Sequence, residues 1–468
     1  MEALKAEANA PVATGALGDQ VVTRLQYMKA LNVLDGTEGA PPHAQRATFV
    51  LRGGLVRTGD QLQANVHLID AATGRAVASE QFDRTQPDSL ATLDELSGAI
   101  ANFTRRAIGA IREERRIANA DAPPDAITLV QLGRGDLQLA DSLRDNGVKE
   151  AAAASYEKAD STFRAASSLA HGWAQPWIER ARVAQGQMWL RIFDSSVGSR
   201  QAAAAEALEG VEYATEGMKK AKGSVEALEI RASLEWWAWR LSQPMDTTAA
   251  TALLDRAEND IRKATALAPH RAAPWNLLGG IALQRGEWGD AYWALTRAIA
   301  ADAYLKKNAE IVLRLFTAAW ETDNVEAAQS WCGLIEQRLG PTWPGAYCQM
   351  HLNAVRKKPD TTQIRRLRSN LQTAADWTEI RPSFDALAAV IFARDGATAR
   401  AHTLLNGIPR TAPSADDATM LEAWAWLELG KKDTARALLE RYVEASPSAR
   451  HGMLESRRFA ALKVPTGE

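Results

Sequence analysis

Seven histidines, two cysteines and a few arginine clusters are the side chains of this 468-residue chain with chemistry to offer. The histidines (His43, His67, His171, His270, His351, His402 and His451) are scattered, and no two share the i, i+4 spacing that sets two imidazoles on one helix face for a metal. His171 and His270 fall where helices turn over, which predicts capping or solvent exposure. Cys332 and Cys348 are too few for a zinc site built from cysteine. They lie on neighbouring predicted helices, where a disulfide is geometrically possible, but two buried thiols acting as small hydrophobes are the expected state. Arg52 precedes the pair Gly53-Gly54 inside a predicted strand, a setting that suits a bulge or close backbone approach rather than a phosphate cradle. The chain has no G-x-x-x-x-G-K-[ST] loop, and it lacks the Gly-rich loop, H-R-D and D-F-G motifs of kinase catalysis. No catalytic residue, metal or cofactor is therefore predicted, and the chain is expected not to be an enzyme.

Charge points the same way. Arg112, Arg115 and Arg116, and likewise Arg365, Arg366 and Arg368, are interleaved with acidic or apolar positions and read as solvated helix faces. The net charge of −2 offers no basic stripe, so nucleic acid is not expected as a partner. The longest apolar run, Ala386 to Ala393, is far short of the roughly 20 residues that cross a bilayer. The opening MEALKAEANAPVATG has neither the positive head nor the apolar core of a signal peptide. With 46% hydrophobic and 24% charged residues, the composition is that of ordinary globular domains. Recognition of another protein or a peptide is what remains, and the next question is what would position it.

The stretch from Pro274 to Ala303 supplies the framework. Trp275, Leu278 and Gly279 form a W-x2-L-G array, Gly286 and Trp288 mark a turn, and Ala291, Leu295 and Ala298 follow on a second helix. Gly279 and Ala291 are small where two helices cross at close range, while Trp275 and Leu295 fill the space beside the crossing. The array resembles a tetratricopeptide repeat, a two-helix hairpin of about 34 residues. One such hairpin cannot bury its own apolar face, so it predicts neighbours, a solenoid and a groove. Further repeat positions are Ala159, Phe163 and Ala166, then Trp177, then Ala257, Ile261, Ala264 and Pro269. Ala327 and Trp331 follow, then Gly396, Ala401 and Leu405, then Gly430, Ala435, Leu439 and Pro447, for about eight hairpins over 125–447. The segment 448–468 is a C-terminal cap and tail, in which ESRRFAALK (455–463) reads as a polar-faced end cap.

In such a hairpin the first helix lines the concave surface. The candidate groove residues are Asn276 and Gln284 in the best-formed repeat, with Leu277, Gly280 and Leu283 between them. Equivalent offsets give Arg182 and Gln185 earlier, and Phe316, Trp320 and Trp424 later. Asn and Arg suit a peptide backbone or carboxylate, and aromatics suit apolar anchors, although packing between repeats is the favoured role for the aromatics.

All 15 tryptophans lie at or after Trp173, which predicts a different architecture in front. A helix over 16–34, running into a short strand at Leu31–Leu34, precedes a Gly- and Pro-rich loop. Leu62, Ala64, Val66 and Leu68 then alternate with Gln61, Gln63, Asn65 and His67, as in a half-buried strand. Three meandering strands (about 48–57, 61–69 and 75–83) and a helix from Pro87 to about Arg116 make a small α+β domain over 1–116, with 117–124 as a Pro-rich linker. Four segments, FVLRGGLVRTGDQ (49–61), VHLIDAATGR (66–75), SEQFDR (79–84) and DSLATLDELSGAIA (88–101), resemble the bacterial TolB-like N-terminal domain. Ala78 stands where that family usually has Trp. The resemblance also implies that the opening strand is missing before Met1, leaving a sheet edge unpaired.

A TolB-like domain, a Pro-rich linker and a repeat array resemble the C-terminal region of certain bacterial serine/threonine protein kinases and of related cyclases and transcriptional regulators. Arg457-Arg458-Phe459 stands in for the tail motif of that arrangement without its Asp-Pro. The expected fold is mainly α: a tetratricopeptide-type α-solenoid preceded by a small α+β domain with a three- to four-stranded sheet. The expected function is a protein- or peptide-binding scaffold or sensory module of a bacterial signalling protein. The alternatives are the regulatory part of a kinase whose catalytic domain lies elsewhere, or a self-assembling repeat protein, with the oligomeric state open. The expected location is the cytoplasm if Met1 is the native start, and the cell-envelope side if the chain belongs to a membrane-anchored parent.

Overall fold

A computed structural model describes residues 5–6, 11–26, 48–58, 61–85, 90–118, 120–192, 197–241, 247–301, 309–339, 342–373, 377–408, 417–445 and 456–462. The first unit is a sheet in the order β1-β2-β3-β4, built from Lys5–Ala6, Phe49–Thr58, Gln61–Asp70 and Ala76–Thr85. Two helices cover it, α1 (Pro11–Gln26) and α2 (Leu90–Ala118). The predicted alternation in β3 sets the layers: Leu62, Ala64, Val66 and Leu68 are buried. They share a core with Leu17, Val21 and Leu25 of α1 and with Leu96, Ile100 and Phe103 of α2. Phe103 meets Phe82 of β4 edge to face at 6.3 Å. The D-x-x-T-G turn after β3 has a direct cause, because the Asp70 carboxylate accepts from the backbone N–H groups of Ala72 (3.0 Å) and Thr73 (2.9 Å).

The sheet edge expected to be unpaired is covered in part. β1 pairs in parallel with β2, Lys5 opposite Gly54 and Ala6 opposite Leu55, so the chain after Met1 covers part of that edge itself. The predicted strand at Leu31–Leu34 lies outside the described residues. So do residues 86–89, in which the second helix was expected to start; it is described from Leu90. Ile117, assigned to the linker, is buried with Val130, Ala140 and Tyr156 of the first repeat hairpin.

Beyond Pro123 the chain is helical. The helices are α3 (Pro124–Asp145), α4 (Lys149–Leu169), α5 (Gln175–Ile192), α6 (Val197–Lys220), α7 (Val225–Leu241), α8 (Thr247–Leu267), α9 (Ala272–Arg285) and α10 (Trp288–Ala301). They continue as α11 (Ala309–Glu321), α12 (Val325–Leu339), α13 (Trp343–Ala354), α14 (Thr361–Leu371), α15 (Trp377–Arg394), α16 (Thr398–Asn406), α17 (Asp417–Glu428) and α18 (Lys432–Ala445). Each odd-numbered helix packs on the even one that follows it and also touches the next odd one, so α3 to α17 form a continuous inner wall.

Two local features make these hairpins repeats. The first is close approach. A Cβ on Gly279 would sit 2.6 Å from the Leu295 side chain, one on Gly133 2.7 Å from Phe163, and one on Gly186 2.3 Å from Tyr156. The second is the turn between paired helices. Gly286 has φ +72°, and the next amide, that of Glu287, bonds back to Ala282 O at 2.9 Å. This is the left-handed helix stop that glycine supplies without strain. The same turn recurs at Gly147, Gly396 and Gly430, with Val148 bonded to Leu143, Ala397 to Phe392 and Lys431 to Trp426. In the α11–α12 hairpin Asp323 takes the left-handed position (φ +59°), and Asn324 bonds to Ala319. The fold is thus mainly α, a solenoid of tetratricopeptide-type hairpins behind a small α+β unit.

The cysteines also depart from expectation. Cys332 of α12 and Cys348 of α13 are joined as a disulfide, with Cα atoms 5.6 Å apart, rather than standing as two thiols. Glu336 lies beside them, but sulfurs bonded to one another are not thiolate ligands for a metal.

Candidate interaction groove

The left-handed turns give a register for the inner wall. Counting back from Gly286, the inward offsets of α9 are Asn276, Leu277, Gly280, Leu283 and Gln284. Counting back from Asp323 places Leu313, Arg314, Thr317, Trp320 and Glu321 at the same offsets in α11. Gly430 does the same for Met420, Leu421, Trp424, Leu427 and Glu428 in α17. A cavity of about 390 Å³ opens where these offsets converge. Gly280, Leu283 and Gln284 wall it from α9, Leu313, Arg314 and Thr317 from α11, and Met420 from α17. Trp236 and Arg240 of α7 and Arg458 of the C-terminal segment complete the polar and aromatic sides.

Positive charge collects on these walls. The Arg240 guanidinium lies 5.0 Å from the ring centroid of Trp236 and 5.1 Å from that of Trp237. The Arg314 guanidinium lies 5.7 Å from Trp236 and donates to Asn276 Oδ1 at 3.3 Å. Burial lowers the pKa of both arginines below the ordinary value; Glu310 opposes the shift in each case, while Arg240 adds to it for Arg314 and Arg200 for Arg240. Glu310 pairs with Arg314 from a largely exposed position and is the acidic side chain on the described walls. Trp236 is 5% exposed, and its indole N–H has no hydrogen-bond partner among the described residues.

Of the sequence-predicted residues, Gln284 lines this cavity and Asn276 stands behind it, holding Arg314. Arg182 is engaged elsewhere, at 2.9 Å from Glu179 and 3.7 Å from Glu226. Gln185 donates to Ser233 Oγ at 2.9 Å. Phe316 and Trp320 are buried in the core. Trp424 is also buried and donates to Glu428 at 3.0 Å. These three aromatics do converge, but around His351, at centroid distances of 6.1, 5.4 and 5.9 Å. Their burial fits the packing role rather than an open surface. His351 is fully buried; its Nδ1 bonds to Tyr347 O at 2.9 Å and its Nε2 has no partner among the described residues. Burial first, and then the Arg458 charge, push its pKa well below the usual imidazole value.

The C-terminal segment explains why the inner wall is closed there. The short 3-10 helix Arg457–Leu462 falls in the segment expected to be a polar-faced end cap, but its described side chains, Arg458, Phe459 and Leu462, face inward. Phe459 and Leu462 are buried, and Arg458 and Glu321 form an ion pair with side-chain exposures of 2% and 1%. Ser456 donates to Glu321 at 2.8 Å, and the Arg458 guanidinium lies 5.8 Å from the Trp424 ring. Glu321 shares the offset of Gln284, and Trp424 that of Gly280, so the chain's own end occupies groove positions. Arg240, Arg314 and Arg458 were missed in the sequence. The α11 turn carries Asp323 instead of glycine, which hides the register that points to Arg314.

No protein-family profile matches the chain. A curated relative, a Rhizobium meliloti protein named "Putative adenylate cyclase 3", is 33% identical over 86 residues. The match takes in 18% of this chain, which spans 15% of the length of that relative. Solved structures of tetratricopeptide-repeat proteins are also similar. One from Thermus thermophilus is 14% identical, covering 51% of this chain and 99% of its own, with TM-score 0.33. One from Parabacteroides merdae is 12% identical, covering 54% and 93%, with TM-score 0.39. Yeast Tom70 is 12% identical, covering 81% and 77%, with TM-score 0.30. At those scores the matches indicate no partner or activity, and the repeat assignment stands on the glycine contacts and shared turns above.

Proposed function

We propose that the chain is a protein-interaction scaffold that holds an extended segment of a partner protein along the inner wall of its solenoid. The observation that carries this reading is the cavity of about 390 Å³ at the convergence of α7, α9, α11 and α17. A groove built from repeat offsets continues from hairpin to hairpin, which suits a chain better than a compact small molecule. Asn276 and Gln284 remain candidate contacts, with Arg182 and Gln185 further along the wall. Phe316, Trp320 and Trp424 act by shaping the floor.

Gly280 gives a clean test. A Cβ there would meet Arg314 Nη1 at 3.5 Å and Trp236 at 3.7 Å, ordinary contacts, so a larger side chain grows into the cavity. Gly280→Phe is expected to keep the melting temperature and to abolish retention of octapeptides from a random library on the immobilised protein. Unchanged retention would remove the groove from consideration.

A signalling context is the second part of the proposal. The TolB-like resemblance and the 86-residue match to a cyclase-named protein support a regulatory region attached to, or acting with, a signalling enzyme. The Cys332–Cys348 disulfide supports an oxidising compartment, and hence the envelope-side alternative, because disulfides persist poorly in a reducing cytosol. No helix among the described residues is long and apolar enough to cross a membrane.

A further inference from the structure

From the charges that line this cavity we infer that the groove is a carboxylate-binding site, and that the partner segment it takes is acidic, seating an Asp or Glu side chain between Arg240 and Arg314. The inference rests on the groove reading and adds the chemistry of the ligand.

Two guanidinium groups share one indole, Trp236, inside a partly desolvated cavity. Two like charges held that close are repelled, and burial raises the cost of each. A folded protein tolerates this where counter-charge is supplied. Among the described residues Glu310 pairs with Arg314 and its charge also favours the charged form of Arg240, so one carboxylate serves two guanidinium groups, and Arg240 otherwise rests on tryptophan faces. Arg458, on the same cavity, is neutralised from behind by Glu321. The walls therefore carry an excess of positive charge that one ligand carboxylate would offset, with the fork of a guanidinium suited to receive it. The unpartnered indole N–H of Trp236, nine-tenths buried on the same wall, is a further donor for that ligand.

A peptide fits better than a small free anion because apolar and aromatic side chains share the walls with the polar ones. Leu283, Leu313, Met420, Trp288 and Trp343 surround the arginines. They would cover the apolar side chains on either side of an acidic residue, contacts that a bare phosphate or carboxylate ion cannot use.

The test is selection of random octapeptides on the immobilised full chain, read by sequencing the retained pool. Acidic residues should be enriched about tenfold over input, and Arg240→Gln or Arg314→Gln should each abolish that enrichment. Glu310→Gln removes the competing acid and should raise enrichment by a further few-fold, a gain that misfolding cannot produce. A pool without acidic bias, or one unchanged in Arg240→Gln, overturns the carboxylate assignment while leaving the groove reading intact. Failure to retain any peptide overturns both. Calorimetric binding of orthophosphate without acidic enrichment would show a small-anion site and also overturn the proposal.

Discussion

The inner wall is open at one place and occupied at another, although the same repeat offsets build both. Around Trp236, Gly280 and Arg314 it leaves a cavity of about 390 Å³ with excess positive charge. Around Trp424, Trp320 and Glu321 the chain's own C-terminus fills the same offsets, and Arg458 finds its counter-charge in Glu321. The difference shows what the wall requires. Where a segment with the right charge lies in it, Arg458 is paired with Glu321; where none does, two arginines share Glu310 and the Trp236 indole N–H has no partner among the described residues. The occupied region is therefore expected to respond to substitution through stability, and the open region through binding.

The largest effect should come from removing the occupant's anchor. Arg458→Ala leaves Glu321 buried without its counter-charge, which costs about 3–5 kcal/mol. Guanidinium denaturation followed by tryptophan fluorescence should show that loss, with the segment after Ser456 becoming sensitive to protease in the folded protein. A loss below about 1 kcal/mol would mean that the tail merely rests on the surface rather than filling the groove.

Next comes the link between α12 and α13, which fixes the helices beneath the tail. The disulfide joins positions separated by 16 residues, and closing a loop of that order is worth about 3 kcal/mol. Reduction, or Cys332→Ala with Cys348→Ala, should lower stability by that amount while leaving peptide selection at Arg240 unaltered. If selection fails on reduction, the two regions are one coupled unit and the contrast between them collapses.

Much of this was legible in the sequence wherever a residue type is forced by local geometry. Gly279 against Leu295, the left-handed Gly286, Gly396 and Gly430, and the alternation of Leu62, Ala64, Val66 and Leu68 each follow from a steric rule that the sequence displays directly. Gln284 and Asn276 came from the same register. Legibility ended where an atypical residue does a typical job. Asp323 in the left-handed position conceals the α11 register, so Phe316 was assigned to the groove while Arg314 was not. It also ended at contacts between distant parts of the chain. Arg458 and Glu321 are 137 residues apart, and no spacing rule connects them.

Adjacent glycines in α9 offer a sharper cut between packing and function. At Gly279 a Cβ would approach Leu295 to 2.6 Å, so Gly279→Ala should cost about 1–3 kcal/mol by overpacking. At Gly280 the nearest atom is 3.5 Å away, and Gly280→Ala should be neutral or stabilising by about 0.5–1 kcal/mol through helix propensity. Thermal melts of the pair decide it. Equal destabilisation would mean that α9 has no open face and that the cavity is not a consequence of the repeat register.

The smallest effect is a pH dependence confined to the occupied region. His351 is buried beside Arg458, and its pKa lies well below the usual value of 6.5. Above pH 6.5 it is neutral in both the folded and unfolded chain and contributes no slope. As the pH falls below about 6.5 the unfolded chain takes up a proton that the folded chain refuses, so stability drops by about 1.4 kcal/mol per pH unit until the folded pKa is reached. His351→Phe keeps an aromatic ring among Phe316, Trp320, Tyr347 and Trp424 and removes the proton site, so the stability of wild type and variant should run parallel above pH 7 and diverge toward pH 5, with the variant flatter. Since the Arg458 charge helps to lower this pKa, Arg458→Ala should bring the folded value back toward 6.5 and reduce the divergence. Identical slopes in wild type and His351→Phe would mean that water reaches this ring, which the occupied half of the groove does not permit.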